Sequence, residues 1–340
     1  MAKYLVSLLF ILATYCFSNR YLLIVCSESD EVCFLNLDDP KTDMEKIKVG
    51  TRPRNIVVNH NEGLAFVSNS YDGTVGVLDL KEKKVKETIT VGSFPWGIKQ
   101  SPDGKKLFVC NLGDNTLSVI DTGTLKVIAT VSVGSMPWSV KISPCQQEAL
   151  VTCFKDSTVH VLNIESGRVT QVVKVGKSPR SIKLDPTGKK AYVLNFNSHD
   201  MSVLTLDPDL KWKCHEKSLL LGRHPMGMMI TQDGKTAYVT HRGPDGVWAI
   251  DLESMEVIKK KIFHDDHFSG IAYDGTEKLL YLSRMSENSI TMIDTKTMEI
   301  IGRLDIEYGP KGLAYYDENQ LAQQKSSLTV TQALRSLRAQ

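Results

Sequence analysis

The chain has 340 residues, 42% of them hydrophobic and 24% charged, and a formal net charge of +2. This is ordinary globular composition with ample material for a core, and nothing in it signals a DNA-binding or membrane-embedded chain. Length alone would suggest two domains, although closed all-β architectures reach this size as one unit.

In chain order, the first element is MAKYLVSLLFILATYCFSN, residues 1–19. One lysine precedes an apolar run from Tyr4 to Phe17, which is too short for a transmembrane span and reads as a secretory signal peptide. An uncleaved N-terminal anchor and a first β-strand are the competing readings. Cleavage after Ser18 would put Cys16 at the −3 position, and Tyr15 before Cys16 argues against a lipoprotein box. The expected location is therefore periplasmic, secreted or cell-surface, and cytoplasmic if the segment is not a signal. Cys16, Cys26, Cys33, Cys110, Cys145, Cys153 and Cys214 include no CxxC pair and no haem-attachment motif. They permit disulfides, but buried free thiols on strands are the expectation.

Two series then alternate along the chain. One ends in proline: VGTRPR at Val49, VGSFPW at Val91, VGSMPW at Val133, VGKSPR at Val175, LGRHPM at Leu221, a degenerate DDHFSG at Asp265, and IEYGPK at Ile306. The other is a short β-branched and aromatic run: IVCS at Ile24, FVSN at Phe66, FVCN at Phe108, LVTC at Leu150, YVLN at Tyr192, YVTH at Tyr238 and YLSR at Tyr281. The second series steps by 42, 42, 42, 42, 46 and 43 residues. Within one period, GIKQ, the turn SPDGKK, LFVCN, the turn LGDN, TLSVIDT and KVIATVSV give four strands. A four-stranded unit of this length repeated seven times predicts an all-β, seven-bladed β-propeller over residues 20–317.

The first β-run has no proline loop before it, and the last proline loop has no second strand after it. Three strands from residues 21–48 are therefore expected to take their innermost strand from Leu313 to Tyr316, which closes the ring and removes free edges. Residues 318–340 are expected to be a frayed tail or a short basic helix carrying Leu328, Leu334 and Leu337.

AYVLN, AYVTH and AFVSN, each after a turn and before an Asp/Asn-Thr turn, resemble the YVTN-family seven-bladed β-propellers, the YncE-like and surface-layer-type repeat proteins. The resemblance implies the fold and leaves the activity open. Proteins of this kind include periplasmic members without known chemistry, some that bind DNA, and surface-layer proteins. More distant propellers include lactonases, a streptogramin lyase and haem or quinone dehydrogenase subunits.

The proline loops and the loops between second and third strands are expected on one face, at the mouth of the axial channel. The residue after each proline varies: Arg54, Trp96, Trp138, Arg180, Met226, Ser269 and Lys311. The next residue is small each time, as crowding around the axis demands. Three residues past each post-proline position come Val57, Lys99, Lys141, Lys183, Met229, Ala272 and Ala314. Arg54, Trp96, Lys99, Trp138, Lys141, Arg180, Lys183 and Lys311 thus form a candidate ligand-binding set. Cations neutralise phosphate or carboxylate and indole faces stack on flat groups, so an anionic ligand with a flat part fits, including nucleic acid. The opposing structural reading has the tryptophans capping blade contacts and the lysines snorkelling or pairing with carboxylates of adjoining blades.

A second constellation is His224, His241, His264, Asp265, Asp266 and His267, mapped to one arc of the same face. Imidazole with carboxylate suits a divalent metal or acid–base hydrolysis, but the spacing lacks a specific zinc signature. Asn69, Asn111 and Asn195 are expected to satisfy the backbone of the following turn. The resemblance also admits the asparagine ligands of calcium-dependent lactonase propellers, but these need a central glutamate, and the post-proline ring has none. No nucleophile elbow, P-loop or dinucleotide fingerprint is present, so catalytic residues stay unassigned. The leading expectation is a monomeric, non-catalytic binding or scaffold propeller for an anionic small molecule, nucleic acid or protein. A metal-assisted, lactonase-like hydrolase and a cell-surface interaction module are the alternatives.

Overall fold

The computed structural model describes residues 20–263, 267–306 and 309–318. The expected leader and tail lie outside these residues, as do His264, Asp265 and Asp266. The described strands form seven antiparallel sheets. We number the blades by their innermost strands: Pro53–Asn59, Pro95–Gln100, Pro137–Ile142, Pro179–Leu184, Pro225–Ile230, Phe268–Tyr273 and Pro310–Asp317. The seventh blade closes the ring as the repeat arithmetic requires: Pro310–Asp317 pairs with Arg20–Cys26, Tyr21 opposite Tyr316 and Leu23 opposite Ala314. Among the described residues no helix is long and apolar enough to cross a membrane.

The 46-residue step falls in the fourth blade, where the outer edge is broken into Trp212–Cys214 and Leu219–Leu220, both paired to Asp200–Leu206. Trp212 is buried there, and its indole donates to Glu148 Oε2 of the third blade at 3.0 Å. The insertion therefore adds an interblade tie at no cost to the ring.

The core divides into apolar clusters that straddle successive blades. Phe66, Val75 and Val77 of the first blade pack on Leu107, Val109 and Ile120 of the second, and equivalent clusters occupy the other interfaces. The junction of seventh and first blades is filled by Tyr21, Phe34 and Tyr316 against Ile56, Val67 and Leu78. Stability in such a ring is a sum of nearest-neighbour contacts, so the closing interface matters as much as the others. Cys26, Cys33, Cys110 and Cys153 are buried on strands, with the Cys26 and Cys33 sulfurs 3.1 Å apart, while Cys145 is exposed and Cys214 half-buried.

The loops on the channel face are tied down in a repeating way. Thr51, Ser93, Ser135 and Arg223 donate their backbone N–H groups to Asp72, Asp114, Asp156 and Asp245 at 2.5–2.6 Å. Each aspartate belongs to the loop between second and third strands of the same blade, which confirms that the two loop sets share a face. A chain ending at residue 305, without the closing strand, is expected to lose cooperative unfolding and to aggregate through the bared edge of Arg20–Cys26. Denaturant unfolding compared with the full chain is the check, and an unchanged single transition would contradict it.

Candidate functional site

In every blade the pairing of the innermost strand slips immediately after its first residue. Arg54 and Asn55 oppose Ser68, and the same irregularity recurs after Pro95, Pro137, Pro179, Pro225, Phe268 and Pro310. A β-bulge leaves one residue out of the ladder and re-aims its side chain. The bulge occupies the variable post-proline position, and its recurrence after Phe268 places Ser269 in the same ring. The small residue that follows is explained by the neighbouring blade: a Cβ added at Gly97 would collide with the carbonyl oxygen of Trp138. Hydroxyls of the second strands hold the bulges. Ser68 Oγ accepts from Asn55 N at 3.2 Å and donates to Trp96 O at 2.8 Å, and Thr152 and Thr240 accept from Ser139 N and Gly227 N, both at 3.0 Å.

The re-aimed side chains border an axial cavity of about 600 Å³. Arg54, Trp96, Lys99, Trp138, Lys141, Arg180, Lys183 and Lys311 all line it, so the candidate set named from the repeat is brought together in full. Against these six cations the described wall sets one carboxylate, Asp274, which with His60 lies past the far ends of the innermost strands.

The rim is a continuous stack. Arg54 Cζ lies 4.5 Å from the Trp96 ring, the Trp96 and Trp138 rings are 4.7 Å apart, and Arg180 Cζ lies 4.7 Å from Trp138 and 5.3 Å from Phe196. Phe154 rests 5.1 Å from Trp138, and Phe196 stacks on His224 at 4.4 Å. This corrects one expectation: the indoles are covered by the protein's own guanidinium groups and by each other, so they support cations at the rim instead of offering bare faces. Phe154 and Phe196 went unnoticed in sequence. Their signal is the residue after LVTC and YVLN, aromatic in two adjacent blades.

Pairing of the lysines with carboxylates, one half of the opposing reading, does not occur among the described residues. None of the six cations forms an ion pair with a described carboxylate. Arg54 Nε is buried without a partner, and Lys183 Nζ has only Met229 Sδ at 3.6 Å. The lysine heads touch channel solvent but are ringed by protein, so their charges are poorly hydrated. Burial, followed by repulsion from Lys99, pushes Lys183 down to about 8. Burial and then the charges of Arg54 and Arg180 bring Lys311 to about 8. Lys141 falls well below its ordinary value through burial, then Lys183 and Lys99, and burial lowers Lys99 as well. Arg180 is brought to about 10 by burial and then by Arg242.

Of the histidine constellation, the described members His224, His241 and His267 do not share one site. His224 and His267 border a shallow rim groove with Phe196, Arg223 and Arg242. His241 is fully buried away from it, bonded through Nδ1 to Gly246 O at 3.1 Å and pushed down to about 4 by burial. Among the described residues no group of three metal-ligating side chains occurs. The YVTN-type asparagines stay inside their blades. Asn111 Nδ2 donates to Thr116 Oγ1 at 3.0 Å and Ser118 Oγ at 2.9 Å, Asn195 Nδ2 donates to Asp200 and Ser202 at 2.8 Å, and Asn69 Nδ2 donates to Thr74 Oγ1. They brace the next turn through its side chains, where backbone contacts were expected, and none lines the channel.

Comparison with known proteins agrees with this architecture. The profile of one family, described as YNCE-like beta-propeller, matches residues 26–189 and 64–326. No curated protein sequence matches. Among solved structures, a functionally unknown protein from Desulfotomaculum acetoxidans DSM 771 is 17% identical, with a TM-score of 0.75 over 87% of this chain and 98% of that one. Hydrazine synthase of Kuenenia stuttgartiensis is 21% identical, with a TM-score of 0.70 over 78% and 90%. The periplasmic gluconolactonase PpgL of Pseudomonas aeruginosa is 16% identical, with a TM-score of 0.72 over 87% and 99%. At these identities the likeness is one of fold.

The depressed lysines make stability depend on pH in a defined sense. Below about 8 both folded and unfolded chains carry the Lys183 and Lys311 charges, and the folded state bears their full penalty. Between that value and the ordinary lysine value the folded chain has released protons that the unfolded chain still binds, so this contribution to stability rises with pH. Denaturant midpoints between pH 7 and 10 should show the rise, and Lys183→Met should raise stability at pH 7 and flatten it. A midpoint unaffected by the substitution at both pH values would count against an unpaired, dehydrated charge.

Proposed function

This chain belongs to the YNCE-like β-propeller family, whose shared ring leaves chemistry to the side chains each member sets in its channel, and we propose that it is a non-catalytic binding protein that takes an anionic ligand in the axial channel. One observation carries the reading: six cations converge on one cavity with no carboxylate partner among the described residues, and the one acid on the described wall lies at the far end. Uncompensated charge in a poorly hydrated site costs several kcal/mol per group by general estimates, and a bound anion offsets it. A ligand carboxylate, phosphate or sulfonate would accept from Lys99, Lys141 and Lys183, with Arg54, Arg180 and Lys311 drawing it through the mouth. The rim stack adds preorganisation, since Trp96 and Trp138 hold both guanidinium groups in place before the ligand arrives.

A metal-assisted, lactonase-like hydrolase has weaker support. The gluconolactonase likeness is one of fold, and the described channel wall offers a metal only His60 and Asp274. Export belongs to the proposal through the leader reading of residues 1–19.

Binding should be titrated with two probes, inorganic pyrophosphate and a single-stranded thymidine oligonucleotide. Affinity should fall as salt rises, and fall again as pH rises through 8, because an anion prefers the protonated lysines. Replacing Lys99, Lys141 and Lys183 together by Met should weaken pyrophosphate binding by roughly a hundredfold or more, each lost charged contact being worth about tenfold. Trp96→Ala with Trp138→Ala should weaken it less, by freeing the guanidinium groups they support. Pyrophosphate binding that ignores the lysine substitutions, or that fails to occur, would defeat the reading. Retention of pyrophosphate with no oligonucleotide binding would restrict it to small anions.

A further inference from the structure

The charge on the channel wall is one-sided, and this bears on what else the ligand carries. Around the deeper ring the side chains run Val57, Lys99, Lys141, Lys183, Met229, Ala272 and Ala314, so three consecutive cationic blades are followed by four apolar ones. At the rim the post-proline side chains of the fifth and sixth blades are uncharged, Met226 and Ser269, while the fifth blade's Arg223 and Arg242 border the neighbouring groove. In a seven-membered ring the second blade faces the gap between the fifth and sixth. Lys99 therefore looks across the cavity at Met229 and Ala272, and Trp96 looks towards Met226 and Ser269. Between the two levels both sides are apolar, Ile98 and Val140 on the cationic blades as much as Ile271 and Leu313 opposite, so the asymmetry lies in the rim and the deeper ring. The boundary between the walls is sharp, for Lys183 Nζ sits 3.6 Å from Met229 Sδ.

A channel built for a fully hydrated polyanion gains nothing from an apolar wall, because the ligand's polar surface would lose water there without recovering hydrogen bonds. An organic anion with an apolar body gains on both sides. Its charged group meets the lysines while its carbon skeleton lies on methionine and alanine, and methionine adapts its three torsions to the shape presented. A cavity of about 600 Å³ is within the size range of small-molecule sites.

We propose that the ligand is a small amphiphilic organic anion, an aromatic or acyl carboxylate, sulfonate or phosphate monoester, held with its charge on the second to fourth blades and its apolar body on the fifth and sixth. This rests on the anion-binding reading above and narrows it.

The experiment holds charge constant and varies the apolar body. The full chain is titrated with methanesulfonate, benzenesulfonate and 1-naphthalenesulfonate, with pyrophosphate alongside as the purely polar probe. Affinity should rise at least tenfold from methanesulfonate to naphthalenesulfonate, as burial of the added apolar surface implies. Met226→Asn with Met229→Asn should remove most of that gain, read as the ratio of naphthalenesulfonate to methanesulfonate affinity so that any change at Lys183 affects both probes alike; Met226→Leu with Met229→Leu should keep the gain. Pyrophosphate binding with equal affinity across the sulfonates would overturn the inference and leave the anion reading standing. A gain that survives the asparagine pair would overturn it too, by placing the apolar body elsewhere. Binding of none of the four probes would take the anion reading down with it.

Discussion

Seven innermost strands must converge on one axis, and that crowding governs the rest of the structure. At the mouth the strands come so close that Gly97 meets the Trp138 carbonyl of the next blade, and a Cβ at Gly270 would meet the Lys311 carbonyl. The chain relieves the crowding with a bulge after the first residue of each inner strand, stabilised in several blades by a second-strand hydroxyl such as Ser68 or Thr240. One bulge residue has to be small, and its partner is thrown towards the channel. Each blade thus presents one side chain at the rim that the fold does not specify.

That division explains what was legible in the sequence. The period, the number of blades, closure by the C-terminal strand and the ring of post-proline positions all follow from repetition, because the residues that shape loops and bulges must recur. The convergence of Arg54, Trp96, Trp138 and Arg180 with Lys99, Lys141 and Lys183 was legible for the same reason: equal offsets in equal repeats lie at equal depth. What repetition could not convey was side-chain partnership. Nothing in VGSFPW says that Arg54 will cover the indole of Trp96, because that contact joins blades and depends on rotamers. His241 was misplaced for a related reason. The last residue of its strand looked like a loop residue by position, yet the side chain is packed 4.9 Å from the ring of Trp248 inside the blade.

The rim stack and the lysine ring answer to different physics. Guanidinium groups tolerate weak hydration when laid on aromatic faces, so Arg54 and Arg180 can be held at the mouth without carboxylates. Lysine heads are strongly hydrated point charges and find no such support deeper in the channel; burial lowers the proton affinity of Lys99, Lys141 and Lys183, and neighbouring lysines lower that of Lys141 and Lys183 further. The two guanidinium groups of the outer ring therefore keep their charge at every physiological pH, whereas Lys311 beside them does not. The inner ring has charge that can be adjusted by whatever enters.

The propeller can tolerate this because its stability resides elsewhere. The apolar clusters lie between blades and meet the channel only at their inner ends, and closure at Tyr21, Phe34 and Tyr316 completes them. Electrostatic cost in the channel is a separate quantity, set by side chains that the bulges leave free to vary. A ligand that neutralises the lysines removes that cost only from the folded state, so its binding energy appears as added stability in proportion to the charge it relieves. The same unpaired charges that weaken the empty ring are in this way the source of affinity for an anion, and the apolar blades opposite them decide which anion gains most.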